Sequence, residues 1–347
     1  MEALRYFFNK KKILITGHTG FKGIWLTSLL LNFGSKLIGY SQKDEKINQY
    51  KKIVNYKKVT NVFDDILNFN HLKKVVNTHK PEIIFHLAAQ SLVIESYKKP
   101  YKTFLENTNG VLNILEITRN SKFVKSLIIA TSDKCYKVNN TKKKFKESDE
   151  LGGVDPYSAS KATAEIIFYS YKNLNFKNKK IGIATVRAGN VIGGGDFSKN
   201  RIIPDCFRSL KKRSLIIRNP EAVRPWQHVI DVIRGYLILS KKLYNESNRF
   251  SGSWNFGPEK NEATVLSLVK NFKKYSKAKF QIKIKKNKKY KETKVLKLSS
   301  LKAAKKLKWK NLIKINQAIK LTVDWYNDFL RTKSGNKVTL NQLRSFF

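Results

Sequence analysis

The sequence predicts an α/β protein: a doubly wound parallel sheet of the Rossmann type, with a smaller C-terminal lobe. Two observations carry this. Short apolar runs alternate with segments of helical spacing through the first half, as strands and crossover helices of a parallel sheet do. A glycine triplet, Gly17, Gly20 and Gly23, falls between the first such run and the first helical pattern.

Lys11 to Thr16 reads as a buried strand that Gly17 ends, and Phe21 to Phe33 follows with apolar residues at helical spacing. Ser35 to Tyr40 is expected as the second strand. Glu82 to Leu87, Ser126 to Ala130 and Gly182 to Val186 are further strands, separated by helices over Leu72–Thr78, Phe104–Thr118 and Ser158–Tyr171. After Arg187 the alternation stops. Gly193-Gly194-Gly195 and scattered prolines mark long loops, then Ile230–Lys242 reads as a helix and Trp254–Phe256 as a late strand. Thr264–Tyr275 and Ile315–Leu330 read as amphipathic helices. The expected division assigns 1–187 and 228–258 to a cofactor domain, and 188–227 and 259–347 to a substrate lobe.

Composition narrows the class. The chain has 347 residues, 41% of them hydrophobic, enough for a sizeable core. No apolar run approaches the ~18–20 residues of a membrane span. Met1 to Lys12 lacks the apolar core of a signal peptide, so a soluble, cytoplasmic protein is expected. Cys135 and Cys206 form no framework, which fits a reducing compartment. Cys135 lies beside Lys134, which admits a reactive thiol, and a plain buried or neutral cysteine is the favoured reading. The net charge of +45 admits nucleic acid as a partner. Its excess is mostly Lys, spread along the chain, which favours a solvated basic surface instead. The densest run, Lys283 to Lys291, suits a strand or loop with one wet face.

Thr16 to Gly23 reads as a dinucleotide loop. Gly17 takes the tight turn, and Gly20 admits the pyrophosphate to backbone N–H groups flanked by Thr19 and Phe21. Gly23 permits close helix–strand packing. The second strand ends in Tyr40, Ser41, Gln42 and Lys43, with Asp44 slightly late, instead of the acid that holds the ribose of NAD. Lys43 leaves NADP open. Asp65 and Ile66 are candidates for the adenine.

Tyr157 and Lys161 share one helix face. Using the phenol as a base near neutrality means lowering its pKa by about three units, or roughly 4 kcal/mol. A neighbouring Lys⁺ and an oxidised nicotinamide favour that shift. Ser132, at a strand end, is placed to hydrogen-bond the same substrate oxygen. Asp133 and Lys134 follow it as a second acid–base pair. His86 and His228 read as structural histidines, and nothing has metal-ligand spacing.

The glycine loop, Ser132, Tyr157 and Lys161 together resemble the extended short-chain dehydrogenase/reductase superfamily, whose members act on nucleotide sugars. Narrower motifs look like the CDP-glucose 4,6-dehydratase family. These are Thr131–Lys134, His86–Ser91, Arg187–Asp196, Arg218-Asn219-Pro220, Arg224–Val229, Ser253–Gly257 and Asp324–Tyr326. The resemblance covers nearly the whole chain and thins over Lys273–Lys294.

It implies a tightly held NAD, CDP-glucose as substrate, and a homodimer or a homotetramer built from dimers. It also implies deoxysugar biosynthesis, as for lipopolysaccharide O-antigen. Ala88 and Ala89 then lie near the nicotinamide, and Gln90 and Ser91 near the substrate. Arg224 and Asn255 would contact the diphosphate, and Asn190 the sugar–phosphate link. Arg208 and Arg187 are further clamps or ordinary salt bridges. By the same resemblance Tyr157 deprotonates the 4-hydroxyl as hydride leaves C4. Lys134 is the C5 base and Asp133 the acid at the C6 oxygen. Hydride returns to C6, giving a 4-keto-6-deoxy sugar. The related dTDP-glucose enzymes carry glutamate where this chain has Lys134.

One departure concerns Glu292 to Ser299, where the family carries an apolar run ending in Asp. Two other readings stay open: an epimerase or dehydratase for another nucleotide sugar, and a dinucleotide fold turned nucleic-acid binder.

Overall fold

The computed structural model describes all residues except 1, 45, 139–142, 175, 177–179, 260–261 and 286–294. Its centre is a sheet of seven parallel strands: β1 (Lys12–Thr16), β2 (Lys36–Ser41), β3 (Val59–Phe63), β4 (Ile83–His86), β5 (Ser126–Ala130), β6 (Gly182–Ala188) and β7 (Gly252–Phe256). Their order is β7-β6-β5-β4-β1-β2-β3. The expected strands are all present, and the late one joins this sheet at the β6 edge.

The apolar runs are unbroken because both faces of the sheet are covered. Ile13, Ile15, Ile83 and Phe85 enter one core, while Leu14, Ile84, Leu127 and Ile129 enter the other. Strand order reverses between β1 and β4. Crevices for ligands open at such a switch point, outside the carboxyl ends of the strands. Gly17 follows β1 and Leu87 follows β4 there, and Leu87 N donates to Thr16 O at 3.0 Å.

Helix Pro156–Lys172 starts on Asp155, whose side chain accepts from Ser158 N, with Pro156 in the first turn. Its buried stripe includes Tyr157, Lys161, Ala164, Glu165 and Phe168, so its polar members point at the sheet. The helix expected over Phe104–Thr118 starts earlier, at Pro100, and contains a π turn at Leu105–Asn109. Such an inserted residue re-aims side chains locally. Here Asn107 accepts from Gln90 N and donates to Gln90 O and Ser160 Oγ, anchoring the loop after β4.

The remaining chain builds three two-stranded ribbons, Val191–Ile192 with Gln227–His228, Val223–Pro225 with Glu262–Thr264, and Ser214–Ile217 with Gln281–Ile284. The lysine run enters the last of these, where Lys283 is exposed. Residues 286–291 of that run lie outside the described residues, as does Glu292. Helices Ile202–Lys212 and Val265–Ser276 flank the ribbons. The final helix, Asn336–Arg344, packs back on the helix that follows the glycine loop. Helices not legible in the sequence include Glu2–Phe8, which buries Leu4 and Phe8, and Lys46–Ile53, as well as Ile202–Lys212 and Asn336–Arg344. Both cysteines are buried, and burial pushes both thiols up.

Candidate active site

Two clefts meet at the carboxyl end of the sheet and share a wall of Phe21, Lys22, Ser91, Thr131, Tyr157 and Arg201. The first is built on the glycine loop. Gly17 has φ +72°, and a Cβ there would lie 2.7 Å from Ala88 N. A Cβ on Gly23 would lie 2.3 Å from Gly17 O. No side chain caps the helix that begins after Gly20, so its first N–H groups are left for an anion. His18 pins the loop from below, bonding Ser41 Oγ at 2.8 Å and Asn61 Oδ1 at 3.0 Å. Burial lowers its pKa to about 4. Thr19, Gly20, Phe21, Gly23, Ile66, Ala88 and Ala89 line this cleft together with Tyr157 and Lys161. The shape and donors fit a dinucleotide.

Asp65 does not line this cleft. Its carboxylate accepts from Leu67 N and Gln42 Nε2 and braces a turn, while its neighbour Asp64 lines the cleft. Asp44 also lines it, and Lys43 does not. Two carboxylates at this end oppose a 2′-phosphate.

The second cleft holds the acid–base groups. Ser132 extends from β5, and Asp133–Cys135 forms a single 3₁₀ turn. Ser132 Oγ accepts from Lys134 N at 3.2 Å and donates to Asp133 Oδ1 at 3.0 Å. Asp133 is 3% exposed, and its Oδ2 is buried without a hydrogen-bond partner. Burial raises its pKa, against the pull of Lys134. Lys134 lines the same cleft.

Tyr157 differs from expectation. Burial pushes its phenol up to about 12, with a Ser132 hydrogen bond and the Arg201 charge opposing. Lys161 donates to Ala130 O at 3.4 Å, and burial, then Lys22, lowers its pKa to about 7. The buried site penalises both charges, so the chain alone does not hold a phenolate–ammonium pair.

Of the residues expected at the substrate, Ser91, Asn190 and Arg224 line the second cleft. Three others do not, because each is satisfied within the chain. Gln90 turns onto its own loop, donating to Leu92 O and Thr103 Oγ1 and accepting from Leu92 N. Arg208 is taken up by Asp205 and the carbonyls of Phe197 and Ser198. Asn255 is fully buried, donating to Phe145 O and Ser299 O and accepting from Tyr136 Oη. Arg187 is neither clamp nor surface bridge, since it forms a buried pair with Glu165 at 2.7 Å. Just past that departing segment, Ser300 Oγ accepts from Gly257 N at 2.8 Å and donates to Gly257 O at 2.9 Å.

His86 Nδ1 bonds Thr16 Oγ1 at 2.9 Å, and His228 Nδ1 accepts from Ile230 N. Burial lowers both to about 3, as for structural histidines. Among the described residues, no three His, Cys, Asp or Glu side chains are grouped to hold a metal.

Two wall residues were not singled out in the sequence. Lys22 reaches Tyr236 Oη at 3.4 Å, and burial, then Arg201, lowers its pKa to about 8. Its signal was a lysine inside the glycine motif. Arg201 donates to Ser91 Oγ at 2.9 Å and Asp196 Oδ2 at 3.2 Å, joining the two clefts. No local pattern marks it, because its partners are distant in sequence.

A family model described as GDP-mannose 4,6 dehydratase matches residues 14–322. The chain is 39% identical over 270 residues to a CDP-glucose 4,6-dehydratase of Salmonella typhimurium, covering 76% of this chain and 75% of that one. Among solved structures, an epimerase from Methanothermobacter thermautotrophicus superposes with TM-score 0.84 at 23% identity, covering 95% and 96% of the two chains. A dTDP-glucose 4,6-dehydratase from Bacillus anthracis, in complex with NAD, superposes with TM-score 0.77 at 21% identity, covering 93% and 98%. These last two likenesses are of fold.

Proposed function

The chain belongs to the GDP-mannose 4,6 dehydratase family of extended short-chain dehydrogenases/reductases, and from that premise we propose that it is an NAD-dependent CDP-glucose 4,6-dehydratase. The observation that carries the reading is Asp133. A buried carboxyl with one unpartnered oxygen sits between Ser132 and Lys134 on the wall of the second cleft. An epimerase, which only oxidises and reduces C4, needs no such second acid.

The glycine loop, Ile66, Ala88 and Ala89 hold the cofactor, with Asp44 and Asp64 favouring NAD over NADP. When bound, NAD supplies a temporary hydride store for C4 and C6 and a positive charge at the nicotinamide. Ser132 orients the 4-hydroxyl and Tyr157 accepts its proton, with Lys161 behind it. The 4-ketone acidifies the C5 proton, which Lys134 removes. Asp133, whose carboxyl burial pushes above its usual range, donates a proton to the C6 oxygen and water leaves. Lys134 then returns a proton to C5, giving CDP-4-keto-6-deoxy-glucose. Ser91, Asn190 and Arg224 bind the sugar diphosphate. On this reading 1–187 and 228–258 carry the cofactor, and 188–227 and 259–347 the nucleotide sugar.

The enzyme acts in the cytoplasm as a homodimer, or a tetramer of dimers, in deoxysugar biosynthesis such as that of O-antigen. Support for self-association comes from Tyr101 (79% exposed), Ile166 (58%) and Tyr169 (68%), large apolar side chains on two helices packed side by side. No helix is long and apolar enough to cross a membrane among the described residues.

The test is incubation of the protein and NAD with CDP-, UDP- and dTDP-glucose. Formation of the 4-keto-6-deoxy product from CDP-glucose is expected, and its absence refutes the assignment.

A further inference from the structure

The second cleft, which Asp133 lines, has an apolar end. Ile202, Ile203 and Pro204, in the first turn of helix Ile202–Lys212, form part of its wall, and Ile216, Ile217 and Val265 contribute to it as well. Strand Ser214–Ile217 delivers Arg218 to this end.

Arg218 differs from the arginines around it. Arg187 is paired with Glu165, Arg201 with Asp196, Arg208 with Asp205 and Arg234 with Asp231. Among the described residues no carboxylate pairs with Arg218. Its hydrogen bond there, Nη2 to Asn200 O, is long at 3.4 Å. A guanidinium carries five N–H donors in a planar fork and no acceptor, so most of the fork remains for a ligand that offers two adjacent acceptors.

We propose that Arg218 is a specificity-determining residue that reads the nucleobase, donating two N–H bonds to O2 and N3 of cytosine. The inference rests on the reading above, in which the sugar reacts at Asp133 and the nucleotide extends to the apolar end. Cytosine presents O2 and N3 side by side as acceptors. Uracil and thymine carry N3–H there, which meets the guanidinium donor to donor. A bidentate arginine on two base acceptors discriminates on the order of tenfold to a hundredfold against a wrong base.

Calorimetric binding of CDP, UDP, dTDP and GDP to the full chain with NAD tests this. The wild-type protein should bind CDP at least about tenfold more tightly than UDP or dTDP. Arg218→Gln offers an acceptor as well as donors, so the preference should largely vanish. Arg218→Lys, which keeps the charge but loses the fork, should also lose most of it. A wild-type protein without CDP preference contradicts the CDP-glucose reading itself. A preference that persists in both variants overturns the role of Arg218 alone. Equal weakening of CDP and UDP assigns Arg218 to the diphosphate and also overturns base reading, as does tighter binding of GDP than CDP.

Discussion

Replacing Arg187 by Met separates a structural arginine from a substrate clamp. The guanidinium lies 2.7 Å from Glu165, and the two side chains are 3% and 1% exposed. Glu165 also accepts from Thr131 at 2.5 Å, Thr185 at 2.8 Å and Ser253 at 2.9 Å, so the pair ties together β5, β6 and β7. Arg187 further donates to Tyr136 Oη at 2.8 Å and Glu147 O at 3.1 Å. Removing it leaves a buried carboxylate without its counter-charge, a loss worth about 3–5 kcal/mol. At roughly 2–4 °C per kcal/mol for a large domain, the melting temperature should fall by roughly 10 °C. The acid side of the stability curve should change too. Burial pushes the Glu165 carboxyl up, but Arg187 and the hydroxyl donors outweigh it and hold it below the usual range. Its contribution is therefore present above the unfolded carboxylate pKa and lost as pH falls. In Arg187→Met that part should vanish. The assay is thermal melting from pH 7 to pH 4, alongside the KM for CDP-glucose. An unchanged melting temperature with a raised KM refutes the reasoning and returns Arg187 to the substrate.

Three further outcomes are expected. Lys134→Ala should retain C4 oxidation but fail to dehydrate, so the absorbance of reduced nicotinamide accumulates; normal dehydration contradicts its role as C5 base. Asp133→Asn should lower product formation by about 10²–10⁴, the usual worth of a general acid, and wild-type rates would remove Asp133 from the elimination. Finally, His18, His86 and His228 are held neutral by burial at about 4, 3 and 3. The unfolded chain binds their protons below pH ~6.5, so acidification costs about 1.4 kcal/mol per pH unit for each. His86→Gln should make melting between pH 6.5 and 4.5 less pH-dependent, and an unaltered slope contradicts a buried neutral His86.

The sheet was legible because both of its faces are buried, which turns each strand into an apolar run such as Leu127–Ile129. The glycine loop was legible because Gly17 and Gly23 answer local backbone demands. Acid–base residues were found as a cluster at one strand end and one helix start. What escaped was set by contacts distant in sequence. Gln90 and Asn255 carry side chains suited to a ligand, yet Thr103 and Phe145 satisfy them inside the chain. Arg201 looks unremarkable beside Ile202, and only the fold brings it to Ser91. The pKa of Tyr157 depends on how deeply the whole site is buried, which no four-residue motif encodes. The π turn at Leu105–Asn109 likewise follows from what Asn107 must reach.

The central claim is that one site oxidises C4 and then reduces C6 of the same sugar. CDP-glucose deuterated at C4 tests it most directly, with the product read by mass and NMR. Deuterium should be retained at C6 of a 4-keto-6-deoxy sugar, carried there within one molecule. Deuterium restored to C4, in either configuration and without loss of water, would contradict it.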